Sequence, residues 1–169
     1  MVEARADKPL ELELKAVVHL DRDPDEVFGE LHDPETLLSC VPGARLTTLY
    51  SRRKFRAQIV FGVGPFKLPY SATGTIVGSN PRSRTASIRL DGQHDAIMPE
   101  VRVRMAMAIE DDAPGCAIDM TFHVAVESKT RDFTHALIDP IACELMERTV
   151  HRLRQRLEQS QLVPMPPAA

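Results

Sequence analysis

His94 and Asp95 stand side by side in the stretch Asp91-Gly-Gln-His94-Asp95-Ala-Ile-Met98-Pro99. An imidazole beside a carboxylate can move protons at neutral pH, which is the equipment of a small cyclase or hydrolase. The other histidines, His19, His32, His123, His135 and His151, show no ligand spacing and read as surface or boundary residues, so no metal site is expected. Cys40 has no base near it in sequence, so it reads as a small buried thiol rather than a nucleophile. Gly62-Val63-Gly64-Pro65 leads into an alternating run, not a helix, so it is a turn and not a phosphate cradle. Met98, Met105, Met107 and Met120 supply soft, deformable apolar surface. Arg52-Arg53-Lys54 forms a basic turn with no acid beside it, suited to docking on anionic lipid headgroups or an acidic partner.

These residues belong to a chain of 169 residues, the length of one domain. The net charge of -3 excludes a general nucleic-acid binder, but it conceals segregation. Residues 1–35 hold eleven acids and four bases; residues 36–90 hold nine bases and no acid; residues 91–169 hold thirteen acids and eight bases. The three cysteines, Cys40, Cys116 and Cys143, are odd in number and widely spaced, so neither a disulfide framework nor a zinc knuckle is expected. Reduced thiols, an N-terminus without signal-peptide pattern and the absence of a long apolar run point to the cytoplasm, with peripheral contact at the inner membrane face through the basic turn.

The elements that must position these groups follow from periodicity. Leu12, Leu14, Ala16 and Val18 alternate with Glu11, Glu13 and Lys15, which predicts a half-buried strand. Asp23-Pro24-Asp25-Glu26 and Asp33-Pro34-Glu35 each start a short helix with an acidic cap and proline at the first position. Pro42-Gly43 stops the second. From there to about residue 127 the period is two, broken by turns at 62–65, 79–81 and 111–115. The last element repeats Phe133, Leu137, Ile141, Leu145, Thr149, Leu153 and Leu157 every four residues, a long helix in which Pro140 predicts a kink or a break near Ala136. The order is one strand, two short helices, six strands and one long helix.

Alternation assigns the inward face of the sheet to Leu, Ile, Val, Met, Phe, Ala, Gly and Tyr70, with no charged residue and no histidine. A wide sheet covered by a single helix leaves room for a cavity. Its expected lining is Phe55, Ile59, Phe61, Phe66, Tyr70, Ile88, Met98, Met105, Met107, Met120, Phe122, Phe133, Leu137 and Ile141, and its expected occupant an apolar small molecule.

This arrangement resembles the helix-grip fold of the START and polyketide-cyclase-like (SRPBCC) superfamily. Two motifs narrow the resemblance. His32-Asp33-Pro34-Glu35-Thr36-Leu37-Leu38-Ser39-Cys40-Val41-Pro42-Gly43 is similar to the DPE-x-L-x-x-C-I-P-G segment of the CoxG family, the G subunit of carbon monoxide dehydrogenase, and Phe55 to Lys67 to its Y-x-A-x-V-x-V-G-V-G-P-V-K. The resemblance implies an α+β fold: a strongly curved, seven-stranded antiparallel sheet wrapped on the C-terminal helix. It implies residues 1–9 as an arm, 10–159 as the domain and 160–169 as a disordered Pro-rich tail. For function it implies a non-enzymatic accessory protein with no covalent cofactor that binds a quinone or lipid and serves a molybdenum hydroxylase-type dehydrogenase at the membrane. Two other expectations stand beside it: an enzyme using His94 and Asp95, and an interaction subunit without ligand.

Overall fold

A computed structural model describes residues 9–63, 65–93, 100–127 and 135–162. In chain order the elements are β1 (Leu10–Leu20), α1 (Pro24–Leu31), α2 (Pro34–Cys40), β2 (Ala44–Leu49), β3 (Lys54–Val63), β4 (Phe66–Asn80), β5 (Thr85–Gln93), β6 (Glu100–Asp112), β7 (Gly115–Glu127) and α3 (His135–Leu162). The strands form one antiparallel sheet in the order β1-β7-β6-β5-β4-β3-β2. The first strand therefore pairs with the last, and β1 and β2 are the two edges. This is the helix-grip architecture, a curved open sheet with two short helices after the first strand and a long C-terminal helix.

Local chemistry sets the helix starts. The Asp23 carboxylate accepts the N–H groups of Asp25 and Glu26, at 2.9 and 3.2 Å, and Asp33 accepts that of Thr36 at 3.1 Å. Each cap satisfies donors that a first helical turn leaves open. Glu26 does not reach back to close a capping box; its carboxylate lies 3.5 Å from Arg22. The turn after α2 needs Gly43, whose φ is +75°, because a Cβ there would lie 2.5 Å from the Val60 carbonyl oxygen.

One core forms where α1 and the C-terminal half of α3 meet β1, β6 and β7. Val18, Val27, Leu31, Ile109, Ile118, Cys116, Leu153 and Leu157 are buried there. Each large aliphatic side chain contributes about 1.5–3 kcal/mol by leaving water. A second cluster of Leu38, Phe55 and Ala57 fixes α2 over β3. The Phe55 ring occupies the space that a Cβ on Gly74 would need. Arg22 ties the ends together. Its guanidinium, with only 7% of the side chain exposed, donates to Glu30 at 2.7 Å and to the Leu157 carbonyl at 2.9 Å.

The bounds of the last helix are now fixed. α3 begins at His135, next to the expected break near Ala136, and runs continuously over 28 residues with Pro140 inside it. It also reaches Leu162, so its last turn takes in three residues that the sequence had assigned to the tail. Residues 1–8 and 163–169 lie outside the described residues.

Candidate functional site

The inward face divides into two parts. Towards α1 it is sealed by the core just described. Towards the start of β1 it is only half-buried: Leu10, Leu12 and Leu14 of β1, Phe122 and Val124 of β7, Val101, Val103 and Met105 of β6, and Ile138, Ile141 and Leu145 of α3 all keep some exposure. The register makes the sheet residues neighbours. Leu12 faces Val124, which faces Val103; Leu14 faces Phe122, which faces Met105. The result is a continuous apolar wall whose side chains stay partly exposed. Among the described residues of the inward sheet face the one buried polar side chain is Tyr70, and burial pushes its phenol above its ordinary pKa, so it is neutral. A wall of this chemistry suits apolar contact, and its described residues include no acid–base pair.

The residues chosen from sequence as lining fall into three groups. Met105, Phe122 and Ile141 stand on the half-buried wall. Ile59, Tyr70 and Ile88 are buried on the inward face, Phe55 is packed under α2, and Met107 and Met120 belong to the sealed core. Met98 and Phe133 lie outside the described residues, as do His94 and Asp95; Phe61, Phe66 and Leu137 are placed on β3, β4 and α3 by their backbone alone. Sequence reasoning favoured aromatic and Met residues and so passed over Leu12, Leu14, Val103, Val124 and Leu145. The β1 alternation had carried the signal for the first two.

The remaining chemical candidates have structural partners. His32 Nε2 lies 2.8 Å from Ser79 Oγ and ties the end of α1 to β4. His19 Nδ1 is 2.8 Å from Asp112 beside a shallow depression of about 190 Å³ at the β6–β7 turn. The Cys40 thiol donates to the Thr36 carbonyl, and burial pushes its pKa up, opposed by the Ser39 hydroxyl and by Arg156 and Arg152. That direction is opposite to the activation of a nucleophile.

The basic segment also divides. Arg84 pairs with Asp25 at 2.7 Å and Asp111 at 3.5 Å, and Arg89 with Asp91 at 3.1 Å. Glu11 and Glu13 lie on β1, the sheet edge opposite β2. Glu13 contacts Lys15 and His123. Arg52, Arg53, Lys54, Arg56 and Lys67 are exposed and make no ion pair among the described residues.

A family model for CoxG, the G subunit of carbon monoxide dehydrogenase, matches residues 17–158. No curated protein matches the chain. Among solved structures, a conserved protein from Geobacillus kaustophilus is 18% identical, with a TM-score of 0.74 over 88% of this chain and 97% of that one. Norcoclaurine synthase from Thalictrum flavum is 11% identical, with a TM-score of 0.62 over 93% and 92%. A protein from Thermus thermophilus is 13% identical, with a TM-score of 0.56 over 89% and 99%. At these identities the likeness is one of fold.

Proposed function

Because this chain belongs to the CoxG family of carbon monoxide dehydrogenase G subunits, we propose that it is a non-enzymatic accessory protein that carries an apolar small molecule, quinone- or lipid-like, between its sheet and α3. It supplies that molecule to, or recruits, a molybdenum hydroxylase-type dehydrogenase at the membrane. The observation behind this reading is the half-buried wall of Leu12, Leu14, Val103, Met105, Phe122, Val124 and Ile141, free of ionisable side chains. A guest seated there removes apolar surface from water that the protein alone leaves partly wet, worth about 25 cal/mol per Å². His94 and Asp95, on which an enzyme reading rests, lie outside the described residues.

Native mass spectrometry of gently purified protein should show a bound quinone or lipid, and a short-chain quinone should bind the extracted protein. Val103→Trp, which fills the wall from near the start of β6, should abolish that binding while the far-ultraviolet circular dichroism stays unchanged. A protein that carries no apolar molecule and takes up no quinone would end the carrier reading.

A further inference from the structure

We infer that the tip of the β2–β3 hairpin is a docking finger for an anionic lipid bilayer. Among the described residues, four large apolar side chains are strongly exposed, and three of them gather at this tip: Leu49 and Tyr50 at 57% and Val77 at 55%. Leu49 and Tyr50 are successive residues entering the turn, so they leave the ribbon on opposite sides. Val77 joins them because the Ile76 N–H donates to the Arg53 carbonyl at 2.8 Å, which brings that part of β4 against the turn. Between these apolar groups stand Arg52, Arg53 and Lys54, all exposed and without an ion pair among the described residues.

Three features favour a bilayer over another protein. Tyrosine, with an apolar ring and a polar end, suits the headgroup region, and arginine and lysine can lay their stems along apolar surface while their charges reach phosphates. Much of the turn's backbone is satisfied from within. Tyr50 and Ser51 donate to the Lys54 carbonyl, and the Ser51 hydroxyl accepts the N–H groups of Arg53 and Lys54, at 3.2 and 3.1 Å. Such a turn can enter a poorly hydrated layer without exposing those groups. Finally, a hairpin tip is far smaller than the roughly 800 Å² a stable protein interface needs from each side, whereas a lipid surface needs only local contacts. The finger is the tip of an edge hairpin and would give the proposed carrier its membrane contact, but it does not depend on what the interior binds.

Vesicle sedimentation tests this. The full chain should sediment with phosphatidylcholine vesicles containing roughly one-third phosphatidylglycerol, and not with phosphatidylcholine alone. Arg52→Gln/Arg53→Gln/Lys54→Gln should lower the partition constant about a hundredfold, near fivefold per charge. Leu49→Ser/Tyr50→Ser should lose about tenfold, and the loss should persist in high salt, where charge attraction is screened. All five residues are exposed, so circular dichroism should confirm an unchanged fold. No sedimentation with anionic vesicles, or full binding by both variants, overturns the finger. Competition by soluble polyglutamate with no effect of the serine variant would overturn it too, assigning the tip to an acidic protein. Quinone binding by the variants is measured in parallel and should stay at the wild-type level.

Discussion

Cys40 and Cys116 are both buried, the first where α2 ends and the second at the start of β7. Burial raises both thiol pKa values above the ordinary 9.0, because a thiolate would lose its water without gaining a sufficient partner. The folded protein therefore holds protons that the unfolded chain releases. Stability is complete below the unfolded thiol pKa and is lost as pH rises through it towards the folded value. Urea denaturation should show a constant stability from neutral pH to about pH 8 and a decline above pH 9, by at most about 1.4 kcal/mol per pH unit for each thiol. Cys40→Ala/Cys116→Ala should remove the decline between about pH 9 and pH 10, leaving above that the loss from the buried Tyr70 phenol. An unchanged alkaline slope would mean that these thiols ionise equally in both states. The same burial explains why a cysteine that stands out in the sequence is a packing group here, with no base to activate it.

At the scale of elements, periodicity made most of the fold legible. The strict alternation of β1 and β7 and the Asp-Pro starts of α1 and α2 are local signals, and local hydrogen bonds answer them in the structure. What periodicity cannot carry is the depth of burial along a strand. Leu12 and Val18 obey the same alternation, yet Val18 is sealed by α1 and α3 while Leu12 is not, because only tertiary packing decides which end of the sheet is covered. For the same reason Met107 and Met105 looked alike and end in different surroundings. Pro140 is the other limit. Its ring removes one donor, but the sequence does not reveal that packing along the rest of α3 tolerates the loss. The missing bond is the one Pro140 would have given to residue 136. Pro140 is exposed, so Pro140→Ala should restore that donor without a clash and raise stability by about 1–3 kcal/mol in urea denaturation. A loss of stability would show that the proline is needed to shape the helix.

At the scale of the molecule, two asymmetries coexist. Charge runs across the sheet, from Glu11 and Glu13 on the β1 edge to Arg45, Arg52, Arg53, Lys54 and Arg56 around β2 and β3. Packing runs along it, from the sealed core under α1 to the half-buried wall under the N-terminal half of α3. The second asymmetry has a thermodynamic consequence that separates a carrier from a solid domain. A ligand that binds only the folded protein stabilises it by about 2.7 kcal/mol at a hundred times its dissociation constant. For a chain of this size that corresponds to a rise of roughly 5–10 °C in melting temperature. The added protection should be local as well as global. Backbone amides of β1 near Leu12, β6 near Val103, β7 near Val124 and α3 from Ile138 to Leu145 line the open half and should exchange more slowly when a quinone is bound. Those around Val18, Ile109, Ile118 and Leu157 should change far less, because their side chains are already out of water. Hydrogen–deuterium exchange with and without a short-chain quinone reads both halves in one experiment. Protection confined to the sealed half, or a melting temperature indifferent to quinone, would place the ligand elsewhere or remove it from the account.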